Sequence, residues 1–168
     1  MRKQKGFSLI ELLIVVAIIL IIAAIAIPNL LRARIAANES SAASIVRTLN
    51  TAEVSYVTAY PATGYAAAIT NLGGAAAACA TPSAATACLI DNTLATTGPT
   101  TGKSGYTFDA QGQGGPPATG YLALAHPLAV GSSGVNSFCS QEDAVVRKDP
   151  TGTLPTYGAC AALNALGN

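Results

Sequence analysis

The sequence predicts an α+β fold in which a long N-terminal α-helix packs on a small antiparallel β-sheet. Three observations support this prediction. No polar residue interrupts the apolar run from Leu12 to Ile27. Apolar residues then recur with the period of a helix as far as Tyr60. After residue 105, short segments of strand character alternate with tight turns.

The apolar run is long enough to span a membrane. A helix over residues 7–31 would be roughly 37 Å long at about 1.5 Å per residue, against about 30 Å for the bilayer core. Arg2, Lys3 and Lys5 precede the run, and positive flanks stay in the cytoplasm. We therefore predict a single-pass helix with a cytoplasmic N-terminus and the rest of the chain on the far side.

A cleaved secretory signal peptide and a simple signal anchor are the plain alternatives. Ala24-Ile25-Ala26 fits a signal-peptidase cleavage site. However, Glu11 would stand at the head of the apolar region, where such a signal needs no charge, and Pro28 would follow the cut at its second position. An anchor alone explains neither Gly6-Phe7 nor Glu11. Because a carboxylate just inside a membrane segment is costly, it indicates a functional site.

The segment Gly6-Phe7-Ser8-Leu9-Ile10-Glu11, followed by the apolar run and closed by Pro28, resembles the N-terminus of type IV pilins and of the related type II secretion pseudopilins. The resemblance implies that a prepilin peptidase cuts after Gly6 on the cytoplasmic side and that the new amine of Phe7 is N-methylated. It also implies that the helix leaves the inner membrane for a filament, where Glu11 of one subunit meets the Phe7 amine of its neighbour.

The Phe7 amine and the Glu11 carboxylate are interpreted as a device that sets subunit register. A buried charge costs several kcal/mol when it is left unpaired, so a subunit docked at the wrong height is penalised. Pro28 removes one backbone hydrogen bond and is expected to bend the helix. Phe7, Glu11 and Pro28 are accordingly the predicted assembly residues, while Gly6 and Phe7 flank the predicted cleavage site.

From residue 32 to residue 60 the helix is predicted to be amphipathic and to end before Pro61. Polar residues such as Asn50 fall mainly outside the apolar face. Arg32 and Arg34 either snorkel toward lipid headgroups or contact an acidic residue (Glu39 or Glu53) of a neighbouring subunit. The predicted apolar face consists of Leu31, Ile35, Ala42, Ile45, Leu49, Ala52, Tyr56 and Tyr60.

Residues 61–168 are predicted to form a small globular head. Its first part, 61–105, is dominated by Ala, Thr, Gly and Ser and is interpreted as loop with one short helix near residues 75–78. Residues 106–148 are predicted to form an antiparallel meander, and residues 149–168 a C-terminal tail. The four strands are expected over residues 106–108, 120–128, 136–140 and 144–148.

Four cysteines on the predicted extracytoplasmic side indicate two disulfides, for which three pairings exist. A head with few aromatic residues benefits from such covalent links. We favour Cys79–Cys88, a short loop clip, together with Cys139–Cys160, which resembles the disulfide-bounded C-terminal region of many pilins. A zinc site is the alternative, but the chain has no Cys-x-x-Cys pair and His126 is its one histidine.

No residue pattern indicates catalysis, a cofactor or a metal. Glycines 112–115 are not followed by a phosphate-loop Gly-Lys-Ser/Thr, and His126 has no partner motif. Glu142, Asp143 and Asp149 are interpreted as a solvated turn, with a pseudopilin-like calcium site as the alternative. Basic residues outside the leader are too scattered to predict nucleic-acid binding.

The sequence therefore predicts a structural subunit of a type IV pilus, not an enzyme, with a leader at residues 1–6 and a helix at residues 7–60. Its expected partners are copies of itself in a helical filament, the prepilin peptidase, the inner-membrane assembly machinery and the membrane. We expect it in the inner membrane before assembly, and then in a pilus on the cell surface or in the periplasm. The alternatives are a type II secretion pseudopilin and a membrane-anchored periplasmic binding or enzymatic domain.

Overall fold

The computed structural model of the chain describes residues 7–98 and 100–167. It divides into two compact units, Met1–Arg34 and Ile35–Asn168. In chain order the helices are α1 (Leu9–Ala59), α2 (Ile69–Leu72), a 3₁₀ turn (Ala78–Ala80), α3 (Asn92–Ala95) and α4 (Tyr157–Ala161). The strands are β1 (Tyr106–Gln113), β2 (Gly120–Pro127), β3 (Ser137–Ser140) and β4 (Arg147–Asp149).

The predicted α+β architecture is confirmed. A long N-terminal apolar helix is followed by one antiparallel four-stranded sheet in the order β1-β2-β3-β4. Each neighbouring pair of strands is antiparallel, so the sheet is a simple meander. This is the type IV pilin-like arrangement that the sequence predicts.

The strand bounds differ from the predicted ones. β1 continues past Phe108 to Gln113, because every one of its residues pairs with β2, from Tyr106 opposite Pro127 to Gln113 opposite Gly120. The last strand begins later than predicted, at Arg147. Ala144 adopts a positive φ of 56° and donates its N–H to the Gln141 carbonyl at 2.8 Å, so residues 141–144 form a turn instead of a strand.

In the Ile35–Asn168 unit, the C-terminal part of α1 packs on one face of the sheet. Strand side chains alternate between faces, so Tyr106, Phe108 and Ala110 point toward the helix with the odd-numbered residues of β2. The helix contributes Leu49 and Tyr56, which are 0% and 1% exposed. The buried positions of α1 are Ala42, Ala43, Val46, Leu49, Asn50, Ala52, Glu53 and Tyr56.

Asn50 is a correction to the sequence interpretation, which placed it outside the buried face. It is 5% exposed, and its side-chain amide donates to Ser140 Oγ at 2.9 Å and to the Ala144 carbonyl at 3.2 Å. A buried amide is tolerated when it is hydrogen-bonded. Asn50 thereby fastens the helix to the end of β3 and to the turn that follows.

The other face of the sheet is partly covered by the C-terminal tail. Leu122 and Leu124 of β2 pack there with the Cys139–Cys160 disulfide, and Tyr157 of α4 lies against them. A second disulfide joins Cys79 to Cys88 in the loop region, at a sequence separation of 9. The tail is therefore covalently held to the sheet, and the loop region carries its own clip.

We expect the double variant Cys139→Ala with Cys160→Ala to destabilise the head more than Cys79→Ala with Cys88→Ala. The Cys139–Cys160 disulfide has a sequence separation of 21, against 9 for Cys79–Cys88, and both Cys139 and Cys160 are fully buried. Loss of a native disulfide typically costs about 2–4 kcal/mol, and more for a longer loop. Denaturant unfolding of the full chain in detergent, followed by tyrosine fluorescence, measures both losses; an equal or larger loss from the Cys79 and Cys88 pair would contradict the expectation.

Candidate functional site

The first part of α1 presents an apolar surface on all sides. Every large apolar side chain from Phe7 to Leu31 is at least 46% exposed, and Phe7 itself is 79% exposed. Among the described helices, α1 alone is long and apolar enough to cross a membrane. A helix that is apolar all round requires lipid or other protein around it. This surface is the candidate functional site.

Glu11 lies in the first turn of this helix, where it has a partner on its own chain. The Ser8 N–H donates to Glu11 Oε2 at 3.5 Å, and the Leu12 N–H donates to the Ser8 carbonyl at 3.2 Å. Ser8 and Glu11 have the Ser-x-x-Glu spacing of a capping box, and the carboxylate stands at the positive end of the helix dipole. Reasoning from the sequence missed this local role, although the spacing was visible.

The other predicted assembly and cleavage residues lie at different places in the N-terminal part of the chain. Phe7 precedes the helix at the same end as Glu11, whereas Gly6 lies outside the described residues. Pro28 is inside α1, which continues through it. Because proline has no N–H, the carbonyl of Ala24 lacks its usual helix partner there. Their roles in cleavage, methylation and assembly stay predictions.

The family described as "Prokaryotic N-terminal methylation motif" matches residues 1–27. The N-terminus of the chain is therefore similar to the methylation motif of prepilins. The match includes Gly6, Phe7 and Glu11 together with the whole apolar run, and it ends one residue before Pro28. That resemblance is confirmed for this segment.

Two curated relatives agree with the family match. The chain is 68% identical over 40 residues to the "Type IV wide pilus major component PilA4" of Thermus thermophilus, a stretch that covers 24% of this chain and 30% of that protein. It is 48% identical over 54 residues to the "Type IV major pilin protein PilA" of Myxococcus xanthus, covering 32% of this chain and 24% of that protein. The chain thus matches less than a third of the length of either relative. No solved structure matches the chain significantly.

The acidic residues near the last turn are held by separate neighbours. Asp143 forms an ion pair with Arg147, and Glu142 accepts a hydrogen bond from the Tyr157 hydroxyl. Asp149 accepts from the Thr151 N–H at 2.9 Å. Within residues 7–98 and 100–167, no group of three or more His, Cys, Asp or Glu side chains is placed to bind a metal ion.

Two acidic residues of α1 are engaged by the head of their own chain. Glu39 accepts backbone N–H bonds from Val135 at 2.8 Å and from Asn136 at 3.0 Å. Glu53 is 0% exposed, and its Oε2 accepts the Ala66 N–H at 2.9 Å. Of the two acceptors considered for the arginines of a neighbouring subunit, Glu53 is therefore inaccessible. Its carboxylate serves a buried backbone N–H outside the sheet ladder.

We expect Glu53 to make the head less stable as the pH rises from about 4.5 to about 7. Burial raises the pKa of this carboxyl from 4.5 to about 7, so the unfolded chain releases the proton first and the folded head is disfavoured across that window. The stabilisation of the folded head by the protonated Glu53 carboxyl is complete below about pH 4.5 and lost above about pH 7. With about 1.4 kcal/mol for each pKa unit, the loss amounts to a few kcal/mol.

The measurement is denaturant unfolding of the full chain in detergent at pH 5 and pH 8. Glu53→Gln cannot titrate, so the stability of this variant should change less between the two pH values than that of the native chain. Glu142→Gln removes an exposed carboxyl and is the matched control. If the stability of Glu53→Gln changes between pH 5 and pH 8 as much as that of the native chain, another group causes the pH dependence.

Proposed function

We propose that this chain is a structural subunit of a type IV pilus. It polymerises through α1 once the leader has been cleaved after Gly6 and Phe7 has been N-methylated. The observation that carries the proposal is the exposed surface from Phe7 to Leu31, which is apolar except for Ser8, Glu11 and Asn29 and begins with the prepilin-like motif. Such a surface is covered by lipid before assembly and by copies of the same helix afterwards. The role is association, and no covalent catalysis and no cofactor is part of it.

Glu11 gives this association its register. Lipid tails are about as apolar as leucine side chains, so burial alone gives helices little reason to leave the membrane. A carboxylate is different, because in an apolar surrounding it requires a charged or hydrogen-bonding partner. Cleavage behind Gly6 creates a positive amine on Phe7, and a charged donor binds a carboxylate more strongly than the Ser8 amide does at 3.5 Å. The amine of a neighbouring copy replaces that long local bond.

The leader and the disulfides support the proposal that the two ends of the chain lie in different compartments. Arg2, Lys3 and Lys5 keep the leader in the cytoplasm, where the prepilin peptidase cuts it. The Cys79–Cys88 and Cys139–Cys160 disulfides favour an oxidising compartment for the Ile35–Asn168 unit. In this proposal the inner-membrane assembly machinery lifts the helix out of the bilayer into the growing filament.

A pilus is favoured over a type II secretion filament by the comparisons, since both relatives described above are named as pilus components. A pseudopilin remains the alternative with the same N-terminus. Fibres on the cell surface that contain this chain support the pilin, whereas a short periplasmic filament whose subunit requires calcium to fold supports the pseudopilin.

We expect the chain extracted from membranes to begin at an N-methylated Phe7 and to lack four hydrogen atoms because of its two disulfides. The reason is that cleavage behind Gly6 leaves the whole apolar run attached, while signal-peptidase cleavage would remove it. Intact-mass measurement distinguishes the two. A mature chain that starts at Ile27 would refute the assignment.

We expect Glu11→Ala to leave subunits in the membrane but to reduce filament growth strongly. The variant keeps the apolar run and loses the carboxylate that pairs with the Phe7 amine. Glu11→Gln, which keeps the shape without the charge, should behave like Glu11→Ala, and Glu11→Asp, which keeps the charge, should assemble better than either. The yield of sheared fibres and the amount of subunit in the membrane are measured in parallel. Normal fibres from Glu11→Ala would show that Glu11 does not set subunit register.

A further inference from the structure

The β2–β3 loop (residues 128–136) presents a group of apolar side chains at its surface. Leu128, Val130 and Val135 are exposed, and the loop contains no charged residue. Val130 and Val135 are neighbours, because a Cβ added to Gly152 would contact both the Val130 side chain and the Val135 carbonyl. Single exposed apolar residues are ordinary on protein surfaces, whereas a group of them indicates a binding surface.

The backbone of this loop has hydrogen-bond partners within the chain. The Gly131 N–H donates to the Gly134 carbonyl at 2.7 Å. The Ala129 N–H donates to Ser133 Oγ at 3.0 Å, and the Ser133 N–H donates to the Ala129 carbonyl at 2.9 Å. Backbone groups that enter an apolar environment must be paired within the protein, since lipid offers them no partner. The β2–β3 loop can therefore meet lipid without leaving these groups unsatisfied.

The loop is fastened to α1 at two consecutive residues. Asn38 Nδ2 donates to the Ser133 carbonyl at 2.8 Å. Glu39 Oε1 accepts the N–H groups of Val135 and Asn136 at 2.8 and 3.0 Å. These bonds hold the loop at a fixed position on the helix, close in sequence to the end of the apolar run.

Chain length limits how far this loop can lie from a membrane. In the proposed function α1 spans the bilayer as far as Leu31, and Arg32 and Arg34 extend toward lipid headgroups. The segment between Arg34 and Asn38 cannot span more than roughly 14 Å, even when fully extended. The headgroup region is itself about 5–7 Å thick. The β2–β3 loop is therefore within reach of the bilayer surface.

The available charge beside the loop is positive. Lys148 is exposed, lines a groove together with Asn136, and has no ion-pair partner among the residues that the structure describes. The two carboxylates nearby are engaged, Glu39 by N–H groups of the loop and Asp149 by the Thr151 N–H. A cation next to an uncharged apolar loop suits a surface of anionic lipid headgroups.

We propose that the β2–β3 loop is a membrane-contact surface of the subunit before assembly, with Leu128 and Val130 toward the acyl chains and Lys148 at the headgroup phosphates. This proposal rests on the proposed membrane-spanning role of α1. A second copy of the chain would cover the loop only in a filament. The tether to α1, in contrast, brings the loop to lipid whenever the helix spans the membrane.

The experiment uses the full chain with one copy in each lipid nanodisc and one fluorophore on an added thiol. The four native cysteines are all in disulfides, so the added thiol is labelled selectively without reduction. Val130→Cys reports on the loop, and Val54→Cys is the matched control, since these valines are 59% and 50% exposed. Ile25→Cys reports on insertion of α1. The discs contain phosphatidylethanolamine and phosphatidylglycerol, with or without a lipid that carries a spin-label quencher on its upper acyl chain.

We expect the spin-labelled lipid to quench Val130→Cys at least about threefold more than Val54→Cys, because an interfacial surface lies about 5–10 Å into the boundary between headgroups and acyl chains. Leu128→Ser should reduce the quenching at Val130→Cys at least about twofold, since it removes apolar area from the contact. Leu89→Ser should leave it unchanged, although Leu89 and Leu128 are both 39% exposed. Lys148→Gln should reduce it by a smaller factor than Leu128→Ser.

Four results would overturn the proposal. If Ile25→Cys is quenched but Val130→Cys is quenched no more than Val54→Cys, the loop does not contact lipid and the proposed function is unaffected. If Ile25→Cys is not quenched, α1 does not span the bilayer and both proposals fail. Quenching at Val130→Cys that Leu128→Ser does not reduce would come from the label. Protection of Val130→Cys from aqueous iodide only with several copies in each disc would show that the loop binds a second copy instead.

Discussion

The proposed function depends on one constraint: the Glu11 carboxylate requires a charged or hydrogen-bonding partner. Glu11 is the one charged residue from Phe7 to Leu31, where every large apolar side chain is exposed. Apolar side chains pack against lipid or protein with similar free energy, so they say little about where a neighbouring helix should lie. A single charge specifies this position, because the free-energy cost of burying it falls only when a donor lies at one particular height along the helix. The Ser8 N–H satisfies Glu11 within the chain, but only through a long bond.

Polar contacts also hold the head to α1. Glu39, Asn50 and Glu53 each fasten a separate segment: the loop before β3, the end of β3, and the loop that follows α1. Many of the apolar residues buried around them are alanines, which bury little area each. Alanine faces also permit alternative packing positions, whereas a buried hydrogen bond has one geometry. These three side chains therefore specify how the loops and the sheet lie on the helix, in a core too small to do so by shape alone.

Periodicity predicted the long helix and the meander because each has many residues that repeat one pattern. It failed where the pattern is weak. β1 was predicted too short because Gln111 to Gln113 lack strand character, and pairing with β2 supplies what local preference does not. The helices α2 and α3 have four residues each and lie in a stretch of small side chains, so no period was visible. Glu53 was considered as a contact for an arginine of a neighbouring subunit, because hydropathy cannot foresee that the Ala66 N–H needs an acceptor.

A cavity of about 950 Å³ on the sheet face opposite α1 illustrates why a concave surface can be invisible in a sequence. Its β1 wall is formed by polar residues at alternate positions, a pattern that ordinarily indicates a solvated face. Only the tail, folded back over β2, converts that face into a concavity, and the tail lies there because Cys160 is bonded to Cys139. The same covalent link thus stabilises a small head and creates the wall that separates part of the sheet from solvent. If the disulfide were opened, residues 154–158 would lose their tether, and both the buried leucines of β2 and the cavity above them would be exposed together.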